Sequence, residues 1–304
     1  MTTDTLPRTD APLPPEGTRS LHELEGNARR RKRTSRLLTM VLFGAMVGGI
    51  TPLVLILWQV VANSGAAFGW EFLTQVEPLS YRETGGGYLH GMWGTVYTTG
   101  MAAVMTVPMG IAAAVYLTEG GGGRYAVVVR FFTDVMTGVP SIFVGLAVYA
   151  ILVTQLRFGT FTGAVALSII MLPIVVRTAE EMLYLVPPDL RNASLALGAR
   201  RWQTTLKVVL PAAGPGVITG VMLAVARAAG ETAPLVLTAL GARTVVTAIQ
   251  GGNGQADIGL LMTDGLRQPF APGIERAWAG GLTLIAIVLL LTIIARVINQ
   301  RSQI

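Results

Sequence analysis

Residues 189–211 read DLRNASLALGARRWQTTLKVVLP, a polar, helix-prone stretch set between two apolar spans. Its marks are Asn192-Ala193-Ser194, three residues, Gly198, nine residues, and then Val208-Val209-Leu210-Pro211. Pro187-Pro188 stops the chain arriving from the preceding span, and Asp189 is suited to cap a new helix by accepting backbone N–H groups. Gly198 lets the backbone bend and another protein approach closely. Residues 199–209 are expected to resume as an amphipathic helix with Trp202, Leu206, Val209 and Leu210 toward apolar surroundings, and Pro211 to break it. The plainest reading of such a segment is an interfacial helix that joins two spans. A second is a short rigid element that a docked partner pushes.

The rest of the chain decides what the segment joins. Only 13% of the 304 residues are charged, against about 25% in soluble domains, and the mean hydropathy is +0.57. Six runs approach the ~20 apolar residues needed to cross a bilayer: 37–61, 92–117, 129–153, 159–176, 214–240 and 277–297. The expected class is an all-α membrane protein with six transmembrane helices over residues 37–300. Residues 1–36 are rich in Pro, Thr and charge, and end near the basic run Arg29 to Arg33. They cannot bury enough apolar surface to fold alone and read as a retained cytoplasmic arm.

Basic residues orient the spans. With the N-terminus inside, seventeen Lys and Arg fall in inner segments and five in outer ones, with Arg227 inside the fifth span. Basic residues concentrate on the cytoplasmic side, so both termini and the 189–211 loop are expected there. The net charge of +6 follows membrane topology and forms no nucleic-acid-binding face.

Several chemistries are excluded or unsupported. The chain has no Cys and two His, His22 and His90, so it lacks disulfides and the ligands of a zinc site. The runs Gly85-Gly86-Gly87 and Gly120 to Gly123 precede no Lys-Ser or Lys-Thr pair, so no phosphate loop is present and no ATP site is expected in this chain. GxxxG pairs at Gly44/Gly48 and Gly216/Gly220 read first as ordinary helix packing within the chain.

The fifth span holds the residues of most chemical interest. Arg227 and Glu231 are four apart, on one face of a helix. A charge at mid-bilayer costs about 2.5–3.5 kcal/mol on insertion scales, so the two either pair with each other or line an aqueous path. A guanidinium suits an oxyanion. A carboxylate beside it accepts a proton-bearing oxygen, which favours hydrogen phosphate over sulfate. Arg177, at the inner end of the fourth span, is a further path candidate or a topology anchor. Asp134 is expected to pair locally with Arg130. Thr137 and Ser141 can bond an anion or the backbone.

The 189–211 spacing resembles the cytoplasmic "EAA" loop of ABC importer permeases, on which the ATPase docks. Asn192 stands where that pattern has an acidic residue, so no salt bridge is available from that position. The run Ala226-Arg227-Ala228-Ala229-Gly230-Glu231-Thr232-Ala233-Pro234, with Gly138 to Leu146 and Leu172 to Arg177, is similar to the PstA family of phosphate-importer permeases. The resemblance covers residues 37–300. It implies a type I ABC importer permease fold with a cytoplasmic coupling helix in a bacterial plasma membrane. It also implies a PstC-like second permease, two PstB-like subunits that hydrolyse ATP with Mg, and an extracytoplasmic PstS-like phosphate-binding protein. On this reading Arg227, Glu231 and Arg177 line the substrate path, and Asn192, Ala193, Ser194, Gly198, Leu210 and Pro211 belong to the coupling loop. A permease for sulfate or molybdate, or a membrane signalling scaffold, remains the alternative.

Overall fold

In the computed structural model the described residues are 21–120 and 123–301, and they fold into two units, residues 1–58 and 59–304. The first unit's described part is helix α1 (Leu21–Ser64), which continues past the unit boundary to Ser64. The arm expected over residues 1–36 is therefore helical from Leu21; residues 1–20 lie outside the described residues. Extending an existing apolar helix needs no new nucleus, so a polar flank joins it at little cost.

The second unit is built from short and long helices in alternation. A short α2 (Trp70–Thr74) precedes α3 (Leu89–Glu119). Next come α4 (Arg124–Gly138) and α5 (Ser141–Val148), which runs through one wide π turn, Tyr149–Val153, into the single turn α6 (Thr154–Leu156). Then follow α7 (Thr160–Tyr184), α8 (Pro188–Ala196) and α9 (Arg201–Thr204). A second π turn, Thr205–Val209, leads into α10 (Leu210–Ala229). The chain closes with α11 (Ala233–Thr238), α12 (Ile258–Leu266) and α13 (Ala271–Arg301).

Among the described residues five helices are long and apolar enough to cross a membrane, and the expected third span is a sixth of different form. It is not one helix. Residues 124–138 and 141–156 meet at 106°. Pro140 forces Val139 into extended backbone (φ −73°, ψ 125°) and cannot itself continue the helix.

The broken pair nevertheless makes one crossing. Arg130 donates to the Leu117 carbonyl and to the Tyr184 hydroxyl, so α4 starts where α3 and α7 end. At the other end Gln255 meets Thr160 at 2.8 Å and lies against Gly94, so α3 and α7 begin together. Two parallel helices need a return crossing between them, and only 124–156 supplies it.

Other expected boundaries shift for identifiable reasons. The fourth span extends to Tyr184, because Arg177 lies near Glu180 and pairs with Asp134, so the helix continues through the charged turn. The fifth begins earlier, as one helix from Arg201 to Ala229. Pro211 does not break it. Proline clashes with the carbonyl four residues back, and the π turn at 205–209 widens the helix around Lys207. The fifth span ends at Ala229, not at Leu240, since Pro234 removes the N–H that would bond Gly230. Asp189 sits inside the first turn of α8 rather than at its cap, the cap position being Pro187 with Pro188 as opening residue.

The core forms where α3, α7 and α10 pack. Leu167, Met171, Val175 and Ala224 are fully buried there. Small residues permit the approach: a side chain on Gly220 would meet Thr178 Oγ1, and one on Gly110 would meet Val175, 2.6 Å away. The Gly216/Gly220 pair thus serves packing within the chain.

Candidate functional site

A cavity of about 330 Å³ opens at the break between α4 and α5. Thr137 to Ser141 form one wall, Ile169, Ile170, Pro173 and Ile174 of α7 another, and Arg227 and Glu231 a third. Each wall has a local cause. The first exists because Pro140 opens the helix and starts α5 anew, with Phe143 N–H donating back to Pro140 O at 3.0 Å. The second contains Pro173, whose missing N–H frees the carbonyl of Ile169 four residues earlier. The third lies at the end of α10, where Gly230 donates to Arg227 O at 3.0 Å and turns the chain out of the helix.

Arg227 and Glu231 therefore do not share a continuous helix, yet the turn keeps them together. Arg227 Nε lies 3.6 Å from Glu231 Oε1. The side chains differ in environment, 65% and 21% exposed. A guanidinium that open needs water or a partner surface when the helix crosses lipid. The cavity thus combines a cation, a Ser141 side chain and a carboxylate acceptor. That set can hold an oxyanion bearing a proton. Ser141 faces the same space. Thr137 lines it too, but its hydroxyl donates to Asp134 O at 2.6 Å.

Arg177 is placed elsewhere. It pairs with Asp134, and its Nη1 lies 3.7 Å from Glu180 Oε2. Arg130 Nε donates to Glu180 Oε1 at 2.8 Å. The expected local pair of Arg130 with Asp134 does not form. Glu180 is 4% exposed, and a buried carboxylate demands a charged partner more strongly than an exposed Asp134 does. Arg130, Asp134, Arg177 and Glu180 tie α4 to α7 just below the break. Sequence reasoning missed Glu180, although Arg177, Glu180 and Tyr184 recur at helical spacing on one face.

Residues 106–304 match the model of the binding-protein-dependent transport system inner membrane component family. The chain is 38% identical to the phosphate transport system permease protein PstA 1 of Mycobacterium tuberculosis (strain H37Rv), over 89% of each chain. It is 34% identical to the PstA protein of Haemophilus influenzae, over 90% of this chain and 96% of that one. The chain belongs to the PstA permease family.

Solved structures agree on the fold of this PstA-family chain, which is that of type I ABC importer permeases. A chain of a bacterial alginate ABC transporter superposes with a TM-score of 0.64 at 14% identity, covering 90% of this chain and 96% of that one. A chain of the MetNI methionine ABC transporter gives 0.59 at 19% identity, covering 70% and 95%.

The loop between α7 and α10 of this PstA-family member is anchored at its base. Arg191 donates to Glu119 at 3.0 Å, to Val186 O at 2.6 Å and to Leu183 O at 2.8 Å. It thereby satisfies carbonyls at the end of α7 and joins α8 to α3. Gly198 adopts φ +85°, a left-handed conformation suited to glycine. The turn brings Ser194 and Thr204 hydroxyls to 2.9 Å. Asn192 and Ala193 are exposed, Leu210 is half-buried and Pro211 is exposed. Val209 is buried, and Trp202 and Leu206 are more than half exposed.

On the opposite end, Arg276 Nε lies 3.6 Å from Glu77 Oε1, with both side chains 2% exposed. Burial pushes the Glu77 carboxyl above its ordinary value, and Arg276 and Arg243 pull it back in part. His90 is fully buried, in edge contact with Tyr88. Among the described residues no group of acidic and His side chains forms a metal site.

Proposed function

We propose that this chain is the transmembrane permease subunit of an ATP-driven importer of inorganic phosphate and forms half of its translocation path. The observation that carries the reading is the cavity where Arg227 and Glu231 meet across a broken span. It is supported by the PstA names of the relatives. Arg227 supplies charge for the oxyanion. Glu231 accepts the hydrogen of hydrogen phosphate, a bond sulfate cannot offer. Arg177 acts from the ionic cluster below the break and steadies the path wall.

A PstC-like permease supplies the other half, and a PstS-like binding protein delivers phosphate from outside. Two PstB-like subunits dock on the α8–α9 loop and hydrolyse ATP with Mg; this chain carries the motion and holds no nucleotide. Asn192, Ala193, Ser194 and Gly198 form the docking element, and Leu210-Pro211 joins it to α10. Both termini and the loop face the cytoplasm, in line with the seventeen-to-five distribution of basic residues.

The test is uptake of radiolabelled phosphate and sulfate by bacterial cells lacking this chain, complemented with wild type or Arg227→Gln. Wild type restores energy-dependent, phosphate-selective uptake. Arg227→Gln lowers it at least tenfold with the complex still assembled. Restoration of sulfate uptake, or of neither anion, overturns the phosphate reading.

A further inference from the structure

A second and larger cavity, about 620 Å³, opens between the last turn of α3 and the α8–α9 elbow. Ligand sites span about 300–1,000 Å³. Part of its wall is apolar and aromatic: Tyr116, Leu195, Trp202 and Leu206. All four are exposed, at 42–55%. The remainder includes two arginines that differ in kind. Arg191 is consumed by Glu119 and two carbonyls. Arg201 has no acid and no acceptor for its guanidinium among the described residues. One uncompensated cation thus stands beside an apolar surface.

The position of this wall narrows what it holds. The cavity sits at the ends of α3 and α7, where apolar helices leave the bilayer. Trp and Tyr settle at that depth because one end is apolar and the other wet. Basic pockets between spans on the cytoplasmic side receive anionic lipid headgroups. Asn192 borders the cavity, whereas Ala193 and Leu197, the latter 89% exposed, do not. The cavity therefore touches the docking element at one residue and leaves its most exposed tip clear.

We propose that the cavity binds one anionic phospholipid of the cytoplasmic leaflet, its phosphate on Arg201 and its acyl chain along Tyr116 and Leu206, and that this lipid braces the elbow. The assignment rests on the orientation given under Proposed function. Bracing reaches the transport site because Arg201 and Arg227 lie on one helical span that passes through the π turn at 205–209. At 1.5 Å per residue they are about 39 Å apart along that rod. A lipid that ties the foot of α9 to α3 fixes the angle at which α10 enters the membrane.

The experiment uses the complete purified complex in nanodiscs of phosphatidylethanolamine alone or with added phosphatidylglycerol. Native mass spectrometry counts lipid adducts, and binding-protein-stimulated ATP hydrolysis reports coupling. One basic contact is worth about fivefold in affinity for an anionic surface. Wild type therefore retains one phosphatidylglycerol adduct that Arg201→Gln holds about fivefold more weakly, and Leu206→Trp, which fills the apolar part, loses it as well. The ratio of hydrolysis with phosphatidylglycerol to hydrolysis without it exceeds one in wild type and falls to about one in both variants.

Equal adducts and equal ratios in all three proteins overturn the proposal. Displacement of the adduct by millimolar inorganic phosphate overturns it in favour of a soluble anion. If Arg201→Gln releases the ATPase subunit on size-exclusion chromatography in either lipid, Arg201 is a protein contact and the lipid assignment fails. A complex that binds the lipid but does not move phosphate overturns the transport reading instead, since adducts are counted without transport.

Discussion

Arg130 of α4 and Glu180 of α7 meet at 2.8 Å across fifty residues of sequence, and Glu180 also faces Arg177 at 3.7 Å. This contact fixes the lower arm of the broken span against α7, while the upper arm packs on α7 and also on α11. A side chain on Gly145 of α5 would come within 2.7 Å of Pro234 Cα in α11. The two arms of one crossing share α7, and the upper one also rests on α11, with the Arg227 cavity at their junction.

Glu180→Ala leaves two arginines facing an empty acceptor. Removing one partner of a buried pair costs about 3–5 kcal/mol. Arg130 is 31% exposed, so solvent reduces the loss to about 1–3 kcal/mol. A thermal melt of the purified complex should fall accordingly, and Glu180→Gln, which keeps an acceptor oxygen, should fall less.

Glu231→Gln keeps size and hydrogen bonding but removes the charge that tells a protonated oxyanion from an unprotonated one. Uptake of phosphate relative to sulfate should drop by about tenfold, the scale of 1.4 kcal/mol in a charge-assisted hydrogen bond. Competition of labelled phosphate by cold sulfate measures it. An unchanged ratio assigns discrimination to other groups.

Gly145→Ala tests the upper arm. Its new carbon lies inside contact distance of the Pro234 backbone, and overpacking of this kind costs about 1–3 kcal/mol. Phosphate uptake should fall with a lowered melting temperature. Gly138→Ala, at the break, meets nothing within 4 Å and should melt close to wild type.

Asp257 gives a pH signature. It caps α12 by accepting from Gly259 N at 2.8 Å and takes the Thr95 hydroxyl at 2.7 Å. Burial pushes its carboxyl from 3.8 up to about 6, against the pull of those bonds. The folded state thus holds a proton that the unfolded state has released between these values. Stability from this group is greatest below pH 3.8 and is lost as pH rises to about 6, by about 3 kcal/mol in all. Asp257→Asn should remove that component from the melting temperature measured across pH 4–7 in detergent.

Much of this architecture is legible without coordinates. Apolar run lengths and one charge census suffice for an all-α six-span membrane protein, because a bilayer accepts few solutions for backbone hydrogen bonds; the permease reading comes from the family resemblance of the 189–211 and 226–234 stretches. Arg227 and Glu231 are also legible, since an ionisable residue in a span is costly wherever it points. Gly198 is legible as a bend for a similar reason, as it takes a backbone conformation that other residues avoid.

The remainder was decided by packing between distant segments. Gly138-Val139-Pro140 looks like any proline in a span until α7 and α11 hold its two arms apart. Asp134 and Arg130 have the spacing of a local pair, and lose each other only because Glu180 is buried within reach of Arg130. Pro211 looks like a stop, yet one π turn lets the helix pass it. Local spacing fixes what a residue can do alone. Which partner it takes depends on a competition between buried charges and packed backbones, and only the tertiary structure settles that competition.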